Sequence, residues 1–557
     1  MLAPDDWYEL HIDDLAESGV VHTVVRVGAV WPDGNMKRQL FVLATAGCLI
    51  VSACGSSSFT KSTTAPVKTP TTAGTGTTGT TPGTSASGTS TPDTSAASNS
   101  TPATDSSNSD VSIPRDTMAP MSSVVASVSD AKIDFGAGKK PQSYDAFLQA
   151  SLADIQDYWR ETYPQVYGGT FVELSGGIWA SYPGRAGQVP SGCPSDASDK
   201  YPAQGNAFYC GQGDYIVYDD AALIPKLTTE FGEAAVGVVF AHEFGHAIQA
   251  RNGDLPADTL TIYREQQADC FAGAWTAHVA RGESKRLMFG DQDVKAGLSA
   301  MVAVKDSTLG ENVSQGDAHG SAFDRVGAFE NGFKGGAVAC KQMETTPLPL
   351  LDLPFSTEQE FNSGGNLPYD QIVTDVEGDL DRFWKSVTDM GVFTSPTVTT
   401  FNHGGPYPTC DGVDASQWKF NATYCVGSNE IFVDDGYAQA LYSTYGDFAV
   451  GYLISNAWSD AVQTQLNSGL VGEQRALIND CLTGVWTSDI IPPANGTIDP
   501  KRLYISPGDL DEAVETALLS EAGIGNGKVG SAFEKIDYFR AGVIGGTAEC
   551  SKRIGGE

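Results

Sequence analysis

A chain of 557 residues exceeds what one hydrophobic core usually organises, so two globular parts with additional segments are expected. Its formal net charge is −34, from 34 Lys and Arg against 68 Asp and Glu, and the basic residues form no cluster. That balance argues against nucleic acid as a partner and fits a soluble protein exported from the cytoplasm.

Residues 1–35 precede an export-type segment and read as an extension of the gene model, with Met36 as the start. Residues 36–54 begin with a basic Met-Lys-Arg-Gln and continue as an apolar run from Leu40 to Ala53. The run is shorter than the roughly 20 residues a spanning helix needs, which indicates a signal peptide. Val51-Ser52-Ala53-Cys54 resembles a bacterial lipobox, which implies lipidation at Cys54 and attachment to the outer face of the cell membrane. Cys48 is a second candidate, and an ordinary secretory signal is the alternative. Residues 55–128 are dominated by Ser, Thr, Gly, Pro and Ala and cannot bury enough apolar surface to order themselves, so a disordered stalk is expected.

Helical patterning begins near Tyr144, with Phe147, Leu148, Leu152, Ile155, Tyr158 and Trp159 on one face. The remainder repeats itself. Asn206-Ala-Phe-Tyr-Cys210 returns as Asn421-Ala-Thr-Tyr-Cys425, and Asp269-Cys-Phe-Ala-Gly-Ala-Trp-Thr276 as Asp480-Cys-Leu-Thr-Gly-Val-Trp-Thr487. Gly320-Ser-Ala-Phe323 likewise returns as Gly530-Ser-Ala-Phe533. Two homologous domains in tandem, 129–347 and 348–557, account for this. The repeat also orders the cysteines into two matching sets of four, and spacing then suggests bridges Cys193–Cys210, Cys270–Cys340, Cys410–Cys425 and Cys481–Cys550.

The segment 231–251 is Ala- and Val-rich without proline and is expected to be a buried helix. It contains His242-Glu-Phe-Gly-His246. Residues four apart share a helix face, so both imidazoles reach one ion, and Glu243 lies beside the open position as general base. The motif alone is moderately specific. Glu265 on the following helix completes a His2Glu set for one Zn2+, and Asp269, four residues on, is placed to accept a hydrogen bond from a ligating imidazole.

His242-Glu-Phe-Gly-His-Ala-Ile-Gln249, then Glu265-Gln-Gln-Ala-Asp-Cys-Phe-Ala-Gly-Ala-Trp275 and His319-Gly-Ser-Ala-Phe-Asp-Arg325, resemble the putative neutral zinc metallopeptidase family over about residues 145–343. Gln266 departs from the Leu usual there. The resemblance implies metallopeptidase activity on a zincin-like fold. The expected class is therefore α+β, mainly α, in tandem duplication and stabilised by disulfides.

The second repeat places Asn456 opposite His242, Ala457 opposite Glu243, Asp460 opposite His246, Ala476 opposite Glu265 and Val529 opposite His319. Only the first domain therefore carries the ligand set. Asp269 has a counterpart in Asp480, so it is expected to serve structure as well as the site. His319 is assigned to the developing oxyanion, with helix capping as the alternative, while His278 and His403 are ordinary packed or exposed histidines. The expected activity is hydrolysis of peptide or protein substrates. The alternatives are cleavage of cell-wall peptides and a non-catalytic surface binding protein with a vestigial zinc site. Oligomeric state and the second domain's role are left open.

Overall fold

The computed structural model describes residues 123–124 and 132–555, apart from 186–189, 191–192, 194–199, 254–258, 304–319, 352, 354, 356–357, 389–391, 403–404, 419–420, 494–497, 500 and 520–530. The expected signal peptide, Cys48 and Cys54 lie outside these residues, as do His319, His403 and nearly all of the stalk. One stalk boundary is corrected. β1 (Ser123–Val124) lies inside the span assigned to disorder and pairs antiparallel with β6 (Leu287–Met288), so ordered backbone starts before residue 128.

Along the first half follow β2 (Ile133–Asp134), α1 (Asp145–Val166), β3 (Gly177–Ser181), β4 (Ala207–Cys210), β5 (Tyr215–Asp219), α2 (Leu223–Glu230), α3 (Glu233–Arg251) and α4 (Thr261–Ala280). After β6 come α5 (Asp291–Ala303) and α6 (Ala322–Gln342). The second half contains α7 (Glu358–Ser363), α8 (Tyr369–Val387), β7 (Thr397–Phe401), β8 (Thr409–Cys410), β9 (Val413–Asp414), β10 (Ala422–Cys425) and β11 (Glu430–Asp434). It ends with α9 (Asp435–Thr444), α10 (Asp447–Gln465), α11 (Gly472–Asp489), α12 (Asp509–Leu519) and α13 (Ala532–Gly555). The protein is mainly helical with some sheet, as expected.

The first sheet has the order β2-β3-β5-β4, with β3 parallel and β4 antiparallel to β5. The second has the order β10-β11-β7, with β7 parallel and β10 antiparallel to β11. Other details run in step. Trp275 Nε1 donates to Asp154 Oδ2 at 3.0 Å in the first half, and Trp486 Nε1 to Asp379 Oδ2 at 3.1 Å in the second. The four expected cysteine pairs are bonded.

The helix expected over 231–251 starts at Glu233, because Gly232 (φ 102°) takes a left-handed conformation that ends α2 and opens α3. Acidic Glu233 in its first turn and basic Arg251 in its last both oppose the helix dipole's partial charges favourably. Against the far side of α4, α6 packs backbone to backbone. A Cβ at Gly273 would lie 2.0 Å from the Phe329 carbonyl oxygen, and one at Gly332 would lie 1.8 Å from that of Cys270. The Cys270–Cys340 bridge pins the same contact.

One apolar core runs through both halves. At their junction the Phe333 and Phe533 rings are 4.5 Å apart, Arg540 stacks at 4.0 Å over Phe323 and bonds its carbonyl, and Phe323 N donates to Asp511 Oδ1 at 3.0 Å. The second half is thereby packed against α6. Among the described residues no helix is long and apolar enough to cross a membrane.

Candidate metal centre

Helix α3 is apolar on nearly every side, so its polar residues are buried with it: His242 and Glu243 are each 7 % exposed. Leaving such groups unpartnered is costly, and the neighbouring elements supply partners. His242 Nδ1 lies 2.7 Å from Asp269 Oδ1 on α4. His246 Nδ1 lies 2.9 Å from Gln249 Oε1, one turn on along α3. The Gln249 amide is oriented by its own donations, to the Arg264 carbonyl at 2.8 Å and to Gln267 Oε1 at 3.1 Å.

These contacts fix the tautomers. Both Nδ1 atoms face acceptors and so carry protons, which in the neutral imidazoles leaves each Nε2 free to offer its lone pair to a metal. The two Nε2 atoms are 3.1 Å apart, and Glu265 Oε2 and Oε1 lie 3.2 Å and 3.4 Å from them. Three donors converging this closely need positive charge among them, from a metal ion or, in its absence, from protons taken up by the imidazoles. Ligands at 2.0–2.1 Å from a tetrahedral zinc stand about 3.3 Å from one another, so the donor set fits that ion in both chemistry and size.

Burial disfavours charge on His242, yet the Asp269 and Glu265 carboxylates override it and push its pKa up to about 10 in the metal-free protein. For His246 burial is likewise overridden, chiefly by Glu265. Burial also opposes ionisation of Glu265, but the two imidazoles hold it well below the usual carboxylate range. Glu243 is raised by burial, against the lowering effect of the imidazoles. Its Oε2 accepts the backbone N–H of Tyr209 on β4 at 2.8 Å, which fixes the carboxylate beside the converging donors.

Glu243, His242, His246 and Glu265 line a cavity of about 510 Å³, walled on one side by residues 205–209 leading into β4. Asp269 faces this site and the interior together. Besides His242 it receives Arg325 Nε on Oδ2 and Arg325 Nη2 on Oδ1, both at 2.9 Å. His278 lies elsewhere, 3.2 Å from Glu283 and against the Tyr158 ring, in keeping with an ordinary role.

Three contributions were not read from the sequence: Gln249 as the orienting partner of His246, Arg325 as the counter-ion of Asp269, and the Tyr209 backbone. Gln249 carried a signal, since three residues beyond His246 shares its helix face. Gln249→Ala is expected to weaken zinc binding about 10- to 100-fold, read by competition with a chromophoric chelator.

In the second half the residues that the sequence repeat sets opposite the ligands make other contacts. Asn456 Nδ2 and the Tyr452 hydroxyl both donate to Asp480 Oδ1, at 2.6 Å and 2.7 Å. Asp460 pairs with Arg475 at 2.6 Å. Burial raises Asp480 to about 6 despite Lys535 and these donors, whereas Asp269, gripped by Arg325 and His242, is lowered against its own burial.

Residues 121–343 match the model of a family described as putative neutral zinc metallopeptidase, which bears out the resemblance and extends it slightly toward the N-terminus. A match to a family so described implies zinc for this segment. An uncharacterized protein of Mycobacterium tuberculosis is 32 % identical over 174 residues, 27 % of this chain and 57 % of that protein. The uncharacterized protein YpfJ of Escherichia coli is 26 % identical over 211 residues, 34 % of this chain and 68 % of YpfJ. The chain thus spans little more than half the length of the mycobacterial relative. No solved structure matches it significantly.

Proposed function

We propose that the first half is a zinc endopeptidase acting at the bacterial cell surface, with one ion held by His242, His246 and Glu265. The observation that carries this reading is the convergence of the two Nε2 atoms and the Glu265 carboxylate beside Glu243. Zinc there would lower the pKa of a coordinated water to about 7 and polarise the scissile carbonyl. Glu243, held by the Tyr209 N–H and raised by burial, takes the proton from the attacking water and passes it to the leaving amine. Asp269 and Gln249 keep the imidazole Nδ1 atoms protonated throughout. For His319 we retain the role of stabilising the developing oxyanion.

A peptide suits the cavity because, among the described residues, β4 is the edge strand of its sheet. An edge strand offers backbone N–H and C=O groups to an extended chain, here apart from the Tyr209 N–H that Glu243 holds. We read the second half as a duplicate of the first on a zincin-like scaffold, without the zinc ligands or catalysis. The shared strand order, the paired Trp–Asp contacts and the parallel disulfides support that reading. Attachment through Cys54 would hold both halves at the outer face of the membrane.

The test is hydrolysis of unfolded protein and of purified cell wall by the full chain, before and after chelation. Cleavage of unfolded protein, lost on chelation and restored by zinc, is the expected result. Cleavage of wall alone would make it an amidase. Stoichiometric zinc without any hydrolysis would make the site vestigial.

A further inference from the structure

The second half lacks the zinc ligands but has acquired another cluster of donors. Asp447 opens α10, Asp509 opens α12, and Glu512 lies one turn further along α12. One oxygen from each lies within 4.8 Å of the others. All three residues are more than nine-tenths buried, with exposures of 6 %, 4 % and 7 %. Among the described residues no Lys, Arg or His forms an ion pair with any of them.

Local hydrogen bonds hold the carboxylates in place. Glu512 Oε2 accepts the N–H groups of Phe448 and Ala449 at 2.8 Å and 3.3 Å, and Asp509 accepts the N–H and hydroxyl of Ser506, both at 2.9 Å. These neutral donors do not balance three negative charges. Asp447 Oδ1 is moreover fully buried and has no hydrogen-bond partner, an arrangement native proteins rarely leave without a ligand. Asn366 Oδ1 adds a neutral oxygen close by: it accepts from Asp447 N at 3.0 Å and lies, with Glu512 Oε1, against the bare backbone of Gly446.

The first half supplies a comparison. There the Gly290 N–H caps Asp293 Oδ2 at 2.9 Å just as Ser506 N caps Asp509, but three residues on stands Ala296 where Glu512 would be. The full trio belongs to the second half alone.

We propose that Asp447, Asp509 and Glu512 bind a hard divalent cation of the calcium type, which ties the start of α10 to α12. An all-oxygen, anionic donor set selects hard cations over zinc. Calcium takes 6–8 oxygens at 2.3–2.6 Å, so oxygens sharing it lie at most about 5 Å apart, as these do. Without the ion, like charges at this spacing must be relieved by protons. Burial alone lifts Asp447 to about 6, and burial with the neighbouring carboxylates raises Asp509 and Glu512 well above their usual range. The ion is assigned to the second half's framework, independently of whether the first half is a peptidase.

The experiment uses the full chain, stripped of divalent ions and reloaded with one equivalent of zinc. Equilibrium dialysis against calcium at pH 7.5 should find one calcium per chain beyond the zinc. The Tm should rise by roughly 5 °C at a hundredfold excess over Kd. Asp509→Asn/Glu512→Gln, which removes charge and keeps shape, should abolish both effects and leave the calcium-free Tm at or above that of the parent. No binding of calcium or magnesium at millimolar concentration by the parent overturns the proposal whether or not the variant folds. So does an equal Tm rise in the variant, or stability that grows on acidification from pH 8 to 6 without any response to either ion.

Discussion

Glu243→Gln is expected to lower kcat/KM for peptide hydrolysis by about 10²- to 10⁴-fold while leaving zinc content unchanged. The expectation follows from what the side chain touches. Its Oε2 is held by the Tyr209 N–H, a contact the amide oxygen of Gln preserves, so position and packing survive the change. What is lost is the ability to take up a proton. The donors His242, His246 and Glu265 are other side chains, so metal content should stay at the parental level. Initial rates on an unfolded protein, beside elemental analysis for zinc, check both halves of the statement. Full activity in the variant would remove Glu243 from the mechanism, and loss of zinc would show that it shapes the site rather than acting in it.

How far the sequence carried depended on the range of each interaction. His242 and His246 are four residues apart on one helix, so their convergence is dictated by helical geometry and needs no knowledge of the fold. Glu265 and Asp269 required only that a second helix pack against the first, and α4 does so through the small residues facing Gly245, whose Cβ would approach the Ala268 Cα to 2.8 Å. The cysteine pairs were legible because the repeat supplied each half with an ordered set.

Contacts made across the fold were not legible. The Tyr209 N–H is a backbone group whose aim at Glu243 is set by the placement of β4 beside α3. Arg325 stood in a recognised motif, but its partner lies 56 residues away on another helix. The trio of Asp447, Asp509 and Glu512 is scattered over two helices with no motif linking them. Each alone reads as a helix-start carboxylate opposing the dipole.

Arg325→Met is expected to destabilise the protein by about 3–5 kcal/mol, the cost of leaving a buried charge without its partner. Arg325 is 1 % exposed and Asp269 is fully buried, so neither finds water when the other is removed. Met retains much of the volume, and the loss is therefore chiefly that of two charge-assisted hydrogen bonds at 2.9 Å. His242 would remain as the partner of Asp269 and would have to carry more positive charge to balance it. A charged imidazole opposes a metal ion, so zinc affinity should fall with stability. Arg325→Lys should fall between the two, because an ammonium offers a point charge in place of the fork. The second half already has Lys535 beside Asp480, and there the carboxyl is raised to about 6 rather than lowered. Adding Asp269→Asn to Arg325→Met removes the orphaned charge while keeping an oxygen for His242 Nδ1. The double variant should thus recover most of the urea midpoint lost by the single one. If it recovers none, Arg325 stabilises α6 by packing alone, and the link from the inter-half contact through Arg325 and Asp269 to His242 is broken.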